Sequence, residues 1–469
     1  MKFILYTLLL INCITAQLII SADPFNIIKS EHKGFNQQSI IRPVFLQRNN
    51  QWSLTVRSEL FYNNGAPNLE NMGNRNIGKG SGLFSGVNFT YMGKFISLSI
   101  EPFYLNKQNK EFEYLHREEI FNYLNDSPNI SNALHGMFGL RETQFYLNYN
   151  KYGVGVSNAN MWWGPGLHTS LTMTNNASGF PYITIGTMQE KRYRNIGYNF
   201  RYIFSQLNKT DDNPFFTAIV GAATIYTQPI ITIGFNRNIL SPSVFNDEEI
   251  SKFDAATIFL QSSINNDKAL QTLATYVILE LPESGLKIFF ELGTTDYWAD
   301  WADFLNYPDH GIGSIFGFRQ YGLFNKKNLI MGFEYARLVQ SSYWEKRSTI
   351  NWYGNSIFEF SSYDGRRWAA HSGSDSDDLY LYFGFQSDKW SFIPALNYER
   401  HGVLYMRPAE VKMEIRLDFR YNWENYLINI YFEREWLEHA GFIPDKWRIA
   451  NVIWFGIERN LNGILSNNF

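Results

Sequence analysis

The stretch KMEIRLDFRYNW, residues 412–423, alternates without a fault: Lys412, Glu414, Arg416, Asp418, Arg420 and Asn422 against Met413, Ile415, Leu417, Phe419, Tyr421 and Trp423. Successive strand side chains point to opposite faces, so this segment reads as a strand with one polar and one apolar side. The period returns as Trp52, Leu54, Val56, Leu60 and Tyr62 against Ser53, Thr55, Arg57 and Glu59, and as Ile96, Leu98 and Ile100 against Ser97, Ser99 and Glu101. It returns again as Ile196, Tyr198, Phe200, Tyr202 and Phe204 against Asn199, Arg201 and Ser205. A soluble antiparallel sandwich accounts for a few such strands in one domain. Recurrence along the whole chain is the pattern of a membrane barrel, apolar toward lipid and polar within. No backbone group goes unpaired in lipid, so such a sheet must close. Aromatic residues make up 17% of the chain, which supplies ring surface without long apolar runs.

The connections predict a strand count. Short turns fall at 92–94, 150–153, 189–195, 228–229, 282–285, 325–328, 386–389 and 422–425. Longer excursions fall at 63–81, 105–142, 160–180, 207–214, 238–270, 295–312, 339–378, 401–411 and 438–448. Nine loops and eight turns join eighteen strands. The expected fold is an all-β, closed antiparallel transmembrane barrel of about 18 strands, with short helices in the long loops and the short turns at the periplasmic end.

Lys2 followed by an apolar run, with small residues at Ala16 and Ala22, reads as a secretory signal over residues 1–22. A periplasmic segment over 23–51 and a barrel over 52–469 are expected to follow. Cys13 is the single cysteine, so past the signal neither a disulfide framework nor a thiolate metal site is expected. No later apolar stretch reaches the roughly 18 residues of a membrane helix. A net charge of −3 argues against a nucleic-acid partner. The C-terminal Phe469 shares the parity of Ile453, Phe455 and Ile457, as expected of a chain handled by barrel-insertion machinery.

The segment NMWWGPGLHTSLTMTNNASGFPYITIG, residues 160–186, resembles the Wzi family of capsule assembly proteins in its WWGPG element, Ser/Asn-rich turn and following strand. Residues 62–109 carry a weaker likeness. The resemblance implies an eighteen-stranded outer-membrane barrel, placed in lipid, that acts as a lectin for capsular polysaccharide or exopolysaccharide. Some members carry an N-terminal helical bundle at the periplasmic end. Only about thirty residues, Asp23 to Gln51, are available for one here.

Sugars present C–H faces and hydroxyl edges, so a sugar site combines flat rings with polar rims. Trp162, Trp163 and His168 supply that mixture; Gly164 and Gly166 permit close backbone approach and Pro165 stiffens the turn. The same two tryptophans serve equally as barrel furniture that seals loops. Trp298 and Trp301, and Arg366, Arg367 and Trp368, form two further ring-bearing loops, with arginines suited to acidic sugars. The acidic groups beside them, Asp296, Asp300 and Asp303, and Asp375, Asp377 and Asp378, offer oxygen ligands of the kind calcium takes but match no EF-hand spacing; solvated loop charge is the expected reading, with no metal or cofactor. No catalytic signature surrounds His168, His371 or His401, so no enzyme is expected. The readings that remain are a monomeric polysaccharide-binding barrel of the outer membrane and, as the alternative, a diffusion porin or channel for small solutes.

Overall fold

A computed structural model describes residues 19–461, except 33–39, 46–50, 76, 118, 127–135, 209–212, 246–247, 261–268, 296–300, 307, 309 and 340–350. Most of the expected signal segment and Phe469 lie outside the described residues. The alternating segments pair as antiparallel neighbours into a closed barrel of eighteen strands. They are β1 Gln51–Asn63, β2 Gly80–Met92, β3 Ile96–Lys107, β4 Gly136–Tyr149, β5 Tyr152–Ser157 and β6 Tyr182–Thr187. Next come β7 Ile196–Gln206, β8 Phe215–Ile225, β9 Ile230–Ser241, β10 Leu270–Leu281, β11 Leu286–Thr294 and β12 Ile312–Tyr321. The wall is completed by β13 Leu329–Arg337, β14 Ser376–Gln386, β15 Trp390–His401, β16 Glu410–Trp423, β17 Tyr426–Glu438 and β18 Trp447–Asn460. The seam is β18 on β1, with Val452 opposite Asn63 and Asn460 opposite Thr55. All eight short turns and nine longer loops separate the strands in the expected order, though β4 begins at Gly136 inside the expected 105–142 excursion and β9 runs to Ser241 inside 238–270.

Parity decides which face each side chain takes. On β16, Lys412, Glu414 and Asp418 are buried inside while Ile415 is exposed. Leu60, Leu147, Val156, Ile185, Phe290, Leu396 and Ile453 are exposed on the outer surface, as a lipid-facing band requires. Inside, Arg416 reaches Glu414 at 2.5 Å and Arg420 reaches Asp418 at 2.9 Å, the charge ladders that the alternation implies.

The interior departs from a uniformly polar lining. From β7 to β13 the inner wall carries Ile203, Phe216, Val220, Leu240, Ile278, Phe289 and Ile315, all buried in one apolar cluster with loop residues Trp163, Leu171, Trp352 and Trp368. The physical reason is occupancy: where protein rather than water fills the lumen, apolar wall residues are favoured. Two tyrosines show how tightly wall and filling fit. A Cβ at Gly234 would lie 2.1 Å from Tyr276 Cζ, and one at Gly332 would lie 2.3 Å from the Tyr382 ring, so each ring lies across a neighbouring strand's glycine.

The chain ahead of β1 also runs inside. Helix α1, Pro24–His32, carries Glu31, whose carboxylate meets Lys287 Nζ at 2.7 Å, Arg319 Nε at 2.8 Å and Tyr321 Oη at 2.9 Å. Those three partners flank short turns, so α1 plugs the short-turn end of the lumen, the end expected to face the periplasm. Ile41–Arg42 then pairs with Trp162–Trp163 of the third outer loop. The described parts of the segment expected in the periplasm, 23–32 and 40–45, therefore lie inside the barrel, and among the described residues the segment carries one short helix rather than a bundle.

Candidate functional site

Strand β5 stops at Ser157 and β6 resumes at Tyr182, and the chain between turns inward. Trp162 and Trp163 are 0% and 1% exposed. The Arg42 guanidinium lies over Trp162, 4.8 Å from its ring centroid, and Trp163 packs on Phe216 of β8 at 6.2 Å. Gly164 takes φ +111°, a conformation that favours glycine, and its N–H donates to Ile40 O at 2.9 Å. A Cβ on Gly166 would fall 2.1 Å from Thr169 O. Pro165 O accepts from Arg319 Nη1 at 2.8 Å, so the same arginine holds α1 and the tryptophan loop together. In this conformation neither tryptophan ring offers a face to solvent.

Two inward carboxylates fasten the loop to the wall. Glu334 on β13 accepts from the Leu167 N–H at 2.6 Å, from His168 N–H at 3.0 Å and from Thr169 N–H at 3.4 Å. Glu291 on β11 accepts from the Leu171 N–H at 3.1 Å. A loop buried away from water must pair its backbone groups, and these side chains supply the acceptors. The Ser/Asn-rich turn closes the remainder: Asn176 and Asn125 exchange amide bonds at 2.8 and 2.9 Å, and Asn71 Nδ2 donates to His168 O at 2.9 Å.

Arg366, Arg367 and Trp368 are buried as well. Arg366 Nη1 donates to Leu69 O at 2.7 Å and Nη2 to Asn125 O at 3.3 Å, while Arg367 Nη2 donates to Ile120 O. Burial lowers both guanidinium pKa values to about 10. Trp368 stands edge-on to Phe216 at 5.7 Å. Trp298 lies outside the described residues, and Trp301 opens a short helix, Trp301–Asn306. The acidic group at 375–378 divides: Asp375 accepts from Leu404 and Tyr405 N–H groups at 2.9 Å, Asp377 pairs with Arg400, and Asp378 faces two histidines. The structure thus brings His168 together with Asp378 and His371, and it seats Trp162, Trp163 and Trp368 as internal packing.

Ion pairs at the outer end continue that cluster. Arg117 Nη1 binds Asp126 at 2.8 Å and its Nη2 binds Glu410 at 2.9 Å; Arg448 closes on Asp126. Burial works to raise the Asp126 pKa, but the guanidiniums of Arg117 and Arg448 outweigh it and hold the carboxyl far below its usual range. His401 bridges Glu399 at 2.6 Å and Glu410 at 3.0 Å. These groups enclose a cavity of about 20 Å³, room for a single water. Burial disfavours the charged form of both His168 and His371; for His168 the neighbouring Asp378 outweighs burial and the pKa rises, whereas for His371 burial prevails and it falls. A wider polar cavity of about 260 Å³ lies between α1 and the wall beside the seam, lined by Arg57, Glu59, Arg75, Glu101, Arg141 and Glu458.

Three of the outer loops pack into a platform. Leu115 packs beside Gly441, and Phe121 meets Phe442 at 4.9 Å, which joins the loop after β3 to the loop after β17. Gly402 abuts Phe442 and Met406, which adds the loop after β15. Tyr114, His116, Tyr405 and Arg407 remain exposed on this platform. The sequence reading missed them because single tyrosines in polar loops carry no periodic or motif signal.

No protein-family model matches the chain, and a search of curated proteins finds no match. Among solved structures, the chain is similar to Wzi of Escherichia coli, an outer-membrane protein involved in group 1 capsule assembly and a carbohydrate-binding β-barrel: 11% identity, 86% of this chain and 83% of that chain covered, TM-score 0.61. Lower similarity connects it to Pseudomonas aeruginosa OccK8 (OprE), at 9% identity, 88% and 98% coverage and TM-score 0.44. Acinetobacter baumannii OccAB4 follows at 8% identity, 88% and 98% coverage and TM-score 0.43. With its apolar outer band, closed sheet and this likeness of fold, the chain has the fold of an outer-membrane β-barrel.

Proposed function

We propose that this barrel is a non-enzymatic binder of surface polysaccharide, acting in capsule or exopolysaccharide attachment at the cell surface. The observation that carries the reading is the filled lumen. Helix α1 occupies it from the periplasmic end and the tryptophan loop from the outer end, so the route a diffusing solute would take is held by the protein's own chain. Work is then left to the outer platform, where Tyr114, Tyr405, His116 and Arg407 combine ring faces with polar and cationic rims. The likeness to a carbohydrate-binding barrel supports the same direction. Trp162, Trp163, Arg366, Arg367 and Trp368 hold the loops that a glycan meets, and His168 anchors that packing from within.

The test is a pull-down of polysaccharide from the producing strain with purified, detergent-folded protein, run beside planar-bilayer conductance. Tyr405→Ala is expected to weaken glycan retention by about 10-fold, the loss of one stacked ring and its contacts at roughly 1.4 kcal/mol. The wild-type protein is expected to conduct negligibly. A steady open-channel current with no glycan retained would overturn the proposal in favour of a diffusion channel.

A further inference from the structure

His371 sits at the outer end of the lumen filling, 2% exposed, and neither of its ring nitrogens makes a hydrogen bond among the described residues. Its Nε2 is nevertheless surrounded by carboxylate oxygens: Asp378 Oδ2 at 3.2 Å, Glu399 Oε2 at 3.7 Å and Glu70 Oε1 at 4.0 Å. His168 Nε2 approaches the same Asp378 oxygen to 3.1 Å, and the two imidazoles stand edge to face at 4.6 Å. Asp378 Oδ2 likewise makes no hydrogen bond of acceptable geometry, while Glu399 Oε2 is ion-paired with Lys412 Nζ at 2.6 Å. Donor atoms from His371, Asp378 and Glu399 all lie within 4.8 Å of one another, as do those from Glu70, His168 and His371.

We infer that this cluster is a binding site for a divalent transition metal of the zinc type, with His371, Asp378 and Glu399 as ligands and His168 beside them. Three features converge on it. The first is spacing. Metal–ligand bonds of about 2.0–2.2 Å in a tetrahedron place the ligand atoms roughly 3.3–3.6 Å apart; the two edges from His371 Nε2, 3.2 Å to Asp378 and 3.7 Å to Glu399, bracket that value, and the third edge lies within 4.8 Å.

The second is chemistry. Imidazole with carboxylate suits zinc, nickel or copper, whereas calcium and magnesium take all-oxygen shells. Asn397 Nδ2 donates to the other Asp378 oxygen at 2.5 Å and fixes the rotation of that carboxylate, the outer support that metal ligands carry.

The third is charge. Lys412 Nζ, 2.6 Å from Glu399 Oε2, and Arg416 answer Glu70, Glu399, Glu414 and Glu433. Asp378 is left to two imidazoles, so a divalent ion relieves an excess of buried negative charge that would otherwise be costly.

A buried site is loaded as the chain folds, so the experiment refolds the full chain from urea into detergent with Zn²⁺ or with EDTA, dialyses it, and measures metal by mass spectrometry. About one Zn²⁺ per chain is expected. His371→Ala is expected to bind at least about 10-fold less, with the barrel's heat-modifiable migration retained. His439→Ala, at a partly exposed loop histidine, is expected to keep the full load. Equal metal in wild type and His371→Ala, or none in wild type, overturns the inference. Should His371→Ala fail to fold, Co²⁺ substitution of the wild type decides: intense tetrahedral visible bands support the site, and the pale octahedral spectrum overturns it.

Discussion

Glu31→Ala is expected to free helix α1 from the lumen while the wall stays folded. The substitution removes the carboxylate that Lys287, Arg319 and Tyr321 converge on, and it leaves Arg319 buried with its charge uncompensated at that point. Breaking a buried pair by removing one partner costs about 3–5 kcal/mol, enough to turn a closed plug into an open one most of the time. The measurement is twofold: protease cleavage within residues 24–32, and an ion current that wild type lacks. The same clamp has a defined pH window. Burial alone would raise the Glu31 pKa, but Arg319 and Lys287 outweigh it and lower it to about 2 from 4.5. A depressed carboxyl stabilises the plugged form above its ordinary value and loses that contribution as pH falls through the folded value. The plug is therefore expected to hold at pH 4 and to open only as pH approaches about 2. Opening at pH 5 would show that another group governs it.

Glu334→Leu is expected to be the most damaging single change inside the barrel. Three consecutive backbone N–H groups, those of Leu167, His168 and Thr169, converge on this one carboxylate. Hydrogen bonds to a charged acceptor contribute about 1.5–3 kcal/mol each, and the donors left behind are buried without water. The two shorter bonds, from Leu167 and His168, alone imply a loss of roughly 3–6 kcal/mol, read as a lowered temperature for the heat-modifiable shift. Because Gly164, Pro165 and Trp163 depend on the same loop path, Glu334→Leu should also expose Trp162 and Trp163, visible as red-shifted and quenchable tryptophan emission. Unchanged emission would mean the WWGPG element holds its position by apolar packing alone. Glu334→Gln retains acceptor capacity and is expected to lose much less.

The wall was legible in the sequence because its physics is local. Alternation at 412–423 gives the faces of β16, and the contrast between QP at 228–229 and the long excursion after β9 gives the ends. The filling was not, because its partners are remote: Glu31 and Arg319 are 288 residues apart, and no local pattern announces such a pair. Strand β8, FFTAIVGAATI, shows the intermediate case. Both of its faces are apolar, one for lipid and one for the tryptophan loop, so periodicity alone marks it as buried without saying by what. Trp162 and Trp163 carried two readings for the same reason; composition supplies bulk, and direction comes only from the pairing with Ile41 and Arg42.

The apolar inner wall from β7 to β13 has a consequence for how the molecule comes into being. That surface would be wetted in a hollow cylinder, at a cost in free energy that no lipid outside could offset. Stopper and staves are therefore expected to assemble together, because the tryptophan loop covers apolar wall on β8 and β11 in the vessel that the seam between β18 and β1 closes.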